Sequence, residues 1–149
     1  MNSRPLTPLS SDPADFDTLT PGHFLIGNRL TALPDHDITQ LKTSRLGRYQ
    51  LIQQMLQHFW RRWQREYLHQ LQQRHKWTQS TSPKVTEGAL VIVKEDNLPP
   101  LLWSLGRVIH LHPGKDGVAR VATIKTTEAE YKRPVTKLCL LPILDNERD

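Results

Sequence analysis

Arg61, Arg62 and Arg65 in the stretch HFWRRWQRE, with Trp60 beside them, form the densest set of side chains able to hold an anion in this sequence. Guanidinium groups at that spacing neutralise phosphate oxygens, and an indole can stack on an exposed base for about 1–3 kcal/mol. Further along, Arg107, Lys115, Arg120, Lys125, Lys132, Arg133 and Lys137 extend the cationic set, and Trp103 supplies a second ring. Binding of this kind releases counterions, weakens steeply with salt and reads little sequence. For any single residue the plainer reading, a solvated charge or a packed tryptophan, is preferred. For the arginine turn with Trp60 the two readings are in balance.

Other chemistry finds less support. The loop HPGKDG, residues 112 to 117, holds the glycines and lysine of a phosphate cradle, yet Val118 follows where that motif needs Ser or Thr and a helix. Asp116-Gly117 between apolar runs reads instead as a hairpin turn, with Lys115 at its tip. Asp12, Asp15, Asp17, Asp35 and Asp37 lie in proline-interrupted segments with no strand to hold them around a metal. Glu66, the one acid in the helical stretch, pairs most simply with Arg62. His58, His69 and His75 lack the i, i+4 spacing of a zinc pair, and His110 with His112 offers two ligands, with Cys139 a remote third. No catalytic residue, metal site or cofactor is expected.

The 149 residues, 37% hydrophobic, fit one domain with a modest core, and a formal charge of +5 favours an anionic partner. A single cysteine excludes an internal disulfide and points to a reducing, intracellular setting. No apolar run approaches a membrane span, and the polar start MNSRPLTPLSSDPADFD lacks a signal-peptide core, so no membrane partner is expected. The charge is uneven: residues 44 to 77 hold seven basic side chains and one acidic, more than the whole excess.

Five segments follow from patterning. Residues 1 to 43, with Pro5, Pro8, Pro13, Pro21 and Pro34, read as an extended arm whose sticky patch is Phe24, Leu25 and Ile26. Residues 44 to 77 read as one long basic helix with Ser44 as its N-cap. Its apolar stripe is Tyr49, Ile52, Leu56, Phe59, Trp63, Tyr67 and Leu71, at steps of 3 and 4. Residues 78 to 83 form a linker. Residues 84 to 143 carry short strands at the spacing of a small closed or partly closed β-barrel, beginning with the β-branched run ALVIVKE. An acidic tail occupies 144 to 149. In SLGRVIHLH neither alternating face is cleanly polar, which suits a barrel packed on the helix.

The ordered motifs LTPGHFLIG, HFWRRWQREYLHQLQQRHKW, VTEGALVIVKEDNLPPLLWSLGRVIHLHPGKDGVARVATIKT and YKRPVTKLCLLP, spanning residues 19 to 142, closely resemble the region after the integrase core in BEL/Pao-type retrotransposon polyproteins, domain of unknown function 5641. The resemblance implies an α+β fold: a long connecting helix, then a small SH3-like barrel of the sort that in related integrases binds DNA ends or chromatin. Residues 1 to 43 then correspond to the last edge of the core, too short to carry its carboxylate triad, and the zinc module is absent. The implied protein is a non-catalytic nucleic-acid-binding module, with DNA the expected partner and the nucleus the expected location. An integrase core, or another copy of the chain through the 44 to 77 helix, is a further expected partner.

A second class is a protein-interaction or dimerisation module without nucleic-acid binding. After residue 80 only Trp103 and Tyr131 are aromatic, too few for a methyl-lysine cage, while the helix stripe begins a heptad pattern. An RNA-binding barrel of the translation type ranks last, since its likeness covers few residues.

Overall fold

The computed structural model describes the chain except residues 11, 13, 34, 78–84, 97 and 142–149, and describes 73–77 by backbone alone. The linker expected at 78–83 and the tail at 144–149 lie outside the described residues. The fold is α+β. Strands β1 (Thr7–Pro8) and β2 (Thr18–Leu19) and helix α1 (Pro21–Ile26) precede helix α2 (Arg48–Trp77). The strands β3 (Leu90–Val93), β4 (Leu105–Pro113), β5 (Ala119–Lys125), β6 (Glu130–Pro134) and β7 (Leu138–Leu140) follow.

All four residues of β3 and all three of β7 are buried, because each strand is covered on both faces. Val91, Val93, Leu138 and Leu140 point one way and join Val108, Ala122 and Ile124. Leu90, Ile92, Cys139 and Leu141 belong to a second cluster that meets Leu68 and Leu71 of α2. A strand covered on both sides reads as an unbroken apolar run, which is why ALVIV shows no alternation. The Cys139 thiol donates to the Leu68 carbonyl at 3.7 Å, and burial pushes its pKa up to about 11.

The five strands are antiparallel in the order β6-β5-β4-β3-β7. Between β6 and β7, on opposite edges, the chain runs only through the 3₁₀ turn Val135–Lys137. Four residue steps in such a turn cover roughly 8 Å, whereas the outer strands of a flat five-stranded sheet lie about 19 Å apart. The sheet must therefore curl. It is barrel-like but not closed, the partly closed form of the expected barrel, with Lys132 and Arg133 exposed on the free edge β6. Charges on an open edge also discourage pairing with another strand.

The loop between β4 and β5 is the expected hairpin turn: Gly117 takes φ +75°, and its amide donates to the Gly114 carbonyl at 3.0 Å. A bulge explains the mixed faces of β4. Val108 pairs with Ile124 and His110 with Thr123, so Ile109 is the extra residue. Val108 is buried before the bulge, Leu111 packs on the same cluster after it, and Ile109 is left exposed.

Helix α2 begins at Arg48, three residues later than a Ser44 N-cap implies. Thr43–Arg45 form a separate 3₁₀ turn, and the Gln50 side chain accepts from the Gly47 amide at 3.0 Å. Its seven-residue apolar stripe divides. Trp63 and Tyr67 pack with Trp103, and Leu71 joins the second cluster, whereas Tyr49, Ile52, Leu56 and Phe59 are 51–72% exposed. The buried face in the first half is instead polar. Gln54 donates to the Ile38 and Leu41 carbonyls at 2.9 and 2.8 Å, and Gln57 donates to the His36 carbonyl while accepting from the Ile38 amide. A segment with no ladder of its own thus finds its backbone partners on glutamine side chains. Arg61 completes the clasp by donating to Thr39 and Asp37.

The N-terminal arm is docked on the body. The Tyr67 hydroxyl donates to the carbonyl of the fully buried Pro5, Phe16 packs on the second cluster, and Arg107 donates to the Asp12 and Asp15 carbonyls. Phe24, Leu25 and Ile26, the sticky patch of the arm, are exposed and so are not covered by the described part of this chain.

Replacing Gln57 by Ala leaves the Ile38 amide and the His36 carbonyl short of partners and is expected to cost about 1–3 kcal/mol, read from urea unfolding midpoints. The Thr39 hydroxyl and amide, then Arg61, hold the Asp37 carboxyl down to about 2 from its ordinary 3.8. A depressed carboxyl stabilises the fold above its unfolded value and loses that contribution as pH falls through the folded one. The stability gap between wild type and Asp37→Asn is thus expected to be flat from pH 7 to about 4 and to close between about 4 and 2.

Candidate functional site

The Arg61 to Leu68 flank of α2 meets the end of β3 and the 3₁₀ turn before β7 in a cleft of about 310 Å³. Arg61, Gln64, Arg65, Leu68, Lys94, Glu95, Asp96, Thr136 and Lys137 line it, setting four cations against two carboxylates. The walls are tied together. The Lys94 amide donates to the Lys137 carbonyl at 2.8 Å, the Lys94 ammonium to the Gln72 side chain at 2.9 Å, and Gln72 in turn to the Thr136 carbonyl at 2.7 Å.

The four cations differ in availability. Arg61 is engaged with Asp37 and Thr39. Lys94 is half-buried and held by Gln72. Arg65 and Lys137 are exposed and form no salt bridge among the described residues. Two free cations flanking two oriented ones suit an anion with several oxygens, which the guanidinium forks grip directionally and the ammonium groups attract as point charges.

Of the residues singled out from sequence, the fold brings Arg61, Arg65 and Lys137 together and disperses the others. Arg62 projects away from the cleft and pairs with Glu66 at 3.0 Å. Arg107 is a structural tie: besides its bonds to the arm, it donates to the Gly88 carbonyl at 2.9 Å. Arg120 pairs with Asp116 at the hairpin, near the exposed Lys115, and that contact, with the Val118 amide, lowers the Asp116 pKa. Lys125 is exposed at the end of β5, and the Arg133 guanidinium lies 4.6 Å over the Tyr131 ring.

The two tryptophans correct the stacking expectation. Trp60 is 5% exposed and sits 5.4 Å from Trp63 and 5.5 Å from Trp103, so no face of its ring is open to a base. Trp103 is half-buried and edge-on to Trp60, Trp63 and Tyr67. The loop delivering it contains Leu101 at φ +66°, a conformation costing on the order of 1–3 kcal/mol that this aromatic packing offsets. Tyr131 packs in the other cluster, so Trp103 and Tyr131 do not build a shared cage.

Lys94 was the member that sequence reading missed. It ends the apolar run LVIVK, and a lone cation closing a doubly buried strand is the available signal. His110 and His112 lie with ring centroids 5.0 Å apart, bonded to Glu87 and Thr123, with Cys139 deep in the second cluster. Among the described residues no three His, Cys, Asp or Glu side chains gather as a metal would need.

No curated protein and no solved structure matches the chain. A family model does: described as a family of unknown function, DUF5641, it matches residues 47–141, from the residue before α2 through the cleft and all five strands of the large sheet, and the chain belongs to that family.

Proposed function

We propose that this chain is a non-catalytic nucleic-acid-binding module, resembling the C-terminal portion of a BEL/Pao-type retrotransposon integrase and acting on DNA in the nucleus. The observation that carries the reading is the convergence of Arg61, Arg65, Lys94 and Lys137 on one cleft from three separate elements. Arg61 and Arg65 come from the helix, Lys94 from the end of β3, and Lys137 from the turn before β7. A phosphate placed there meets the free Arg65 and Lys137 beside the held Arg61 and Lys94, and gains without any base being read. The overall charge of +5 draws polyanions toward the surface, and the exposed Lys125, Lys132 and Arg133 supply further contacts along β5 and β6. Binding rests on phosphates alone, since the tryptophans are committed to packing.

Fluorescence anisotropy of the full chain with a labelled DNA duplex across a salt series tests this. Binding is expected to weaken steeply with salt, and the Arg65→Ala, Lys137→Ala double variant to reduce the slope of log affinity against log salt by about two. Arg62→Ala with Arg120→Ala, which removes paired cations outside the cleft, is expected to change the slope by less. Absence of binding at low salt, or an unchanged slope in the cleft variant, overturns the proposal.

A further inference from the structure

Among the described residues, nothing packs on the apolar flank of the first half of α2. Tyr49 is 72% exposed, Ile52 51%, Met55 64%, Leu56 59% and Phe59 53%. The helical period places this flank roughly half a turn from the Arg61 and Arg65 side, so it is separate from the cationic cleft. At on the order of 200 Å² for each large side chain, it exposes roughly 600 Å², the upper end of what a monomer normally shows and enough for one side of a small specific interface.

We infer that this flank pairs with the same flank of a second copy of the chain, the two helices antiparallel about a twofold axis between Ile52 and Leu56. Charge identifies the occupant. Residues 49 to 60, YQLIQQMLQHFW, contain no Asp, Glu, Lys or Arg, so nothing in them selects a charged partner such as a nucleic acid. An uncharged apolar patch is, by contrast, complementary to itself under twofold symmetry. Antiparallel pairing about that axis brings Tyr49 opposite Phe59. The bodies fit the same arrangement. The large sheet packs on α2 at Leu68 and Leu71, beyond one end of the patch, so antiparallel helices carry the two sheets to opposite ends. The steps Tyr49, Ile52, Leu56, Phe59 are the 3-4-3 spacing of a helix seam.

Sedimentation velocity of the full chain tests the inference. The expected result is a shift toward twice the chain mass as concentration rises to the order of tens of micromolar, abolished by Leu56→Asp and by Phe59→Asp with unchanged circular dichroism. The milder Ile52→Gln, Leu56→Gln pair serves if a charged variant misfolds, and is expected to weaken association at least tenfold. Direction is read by oxidative cross-linking: Leu56→Cys near the axis is expected to form a disulfide-linked dimer and Tyr49→Cys to form far less, while the native Cys139 is buried. A monomer at every concentration, or a dimer indifferent to these substitutions, overturns the inference. Equal cross-linking at 49 and 56 overturns the antiparallel arrangement.

Discussion

Strands β3 and β7 bury both their faces, and the rest of the architecture follows from that constraint. Their inward valines and leucines require a curled sheet to enclose them, and their outward Leu90, Ile92, Cys139 and Leu141 require a second layer. Helix α2 supplies it. Once α2 is fixed on that surface, its Arg61 and Arg65 side is set against Lys94 and Lys137. The cationic cleft is therefore a consequence of packing, its walls held by the same contact that completes the core.

The helix can be understood as three longitudinal surfaces with different work. One is buried, apolar on the strands and glutamine-rich where it holds residues 35–41. One is cationic and faces the cleft. The third is apolar and open. Because the last two lie on opposite sides, a polyanion and a second chain can occupy α2 together, and a symmetric pair would carry two clefts toward its two ends. Pairing of that kind raises the effective concentration of one cleft once the other is engaged.

Much of this was legible in the sequence where period and composition speak directly. The β-branched strand ALVIVKE, the Asp116-Gly117 turn and the long helix follow from local rules, and the α+β class from the family resemblance. The arginine turn was legible as well, and Arg65 does face the cleft. What escaped were features set by tertiary pairing. Gln54 and Gln57 look like solvent residues, and only the unladdered segment beside them makes them interior. Trp60 lies off the apolar stripe, so its burial depended on Trp103 arriving from 43 positions away. Arg107 resembles any surface cation until the arm places the Asp12 and Asp15 carbonyls on it. The bulge at Ile109 shifts every later side chain by one face, an event that alternation alone does not encode.

The account's central claim is that phosphates enter the cleft between α2, the end of β3 and the turn before β7. Hydrogen exchange of the full chain, with and without a short DNA duplex, tests it most directly because it locates contact without altering a residue. The account predicts slowed exchange in residues 61–68, 94–96 and 135–137 together. Protection confined to the hairpin at 114–118, or none in the presence of saturating DNA, would contradict it.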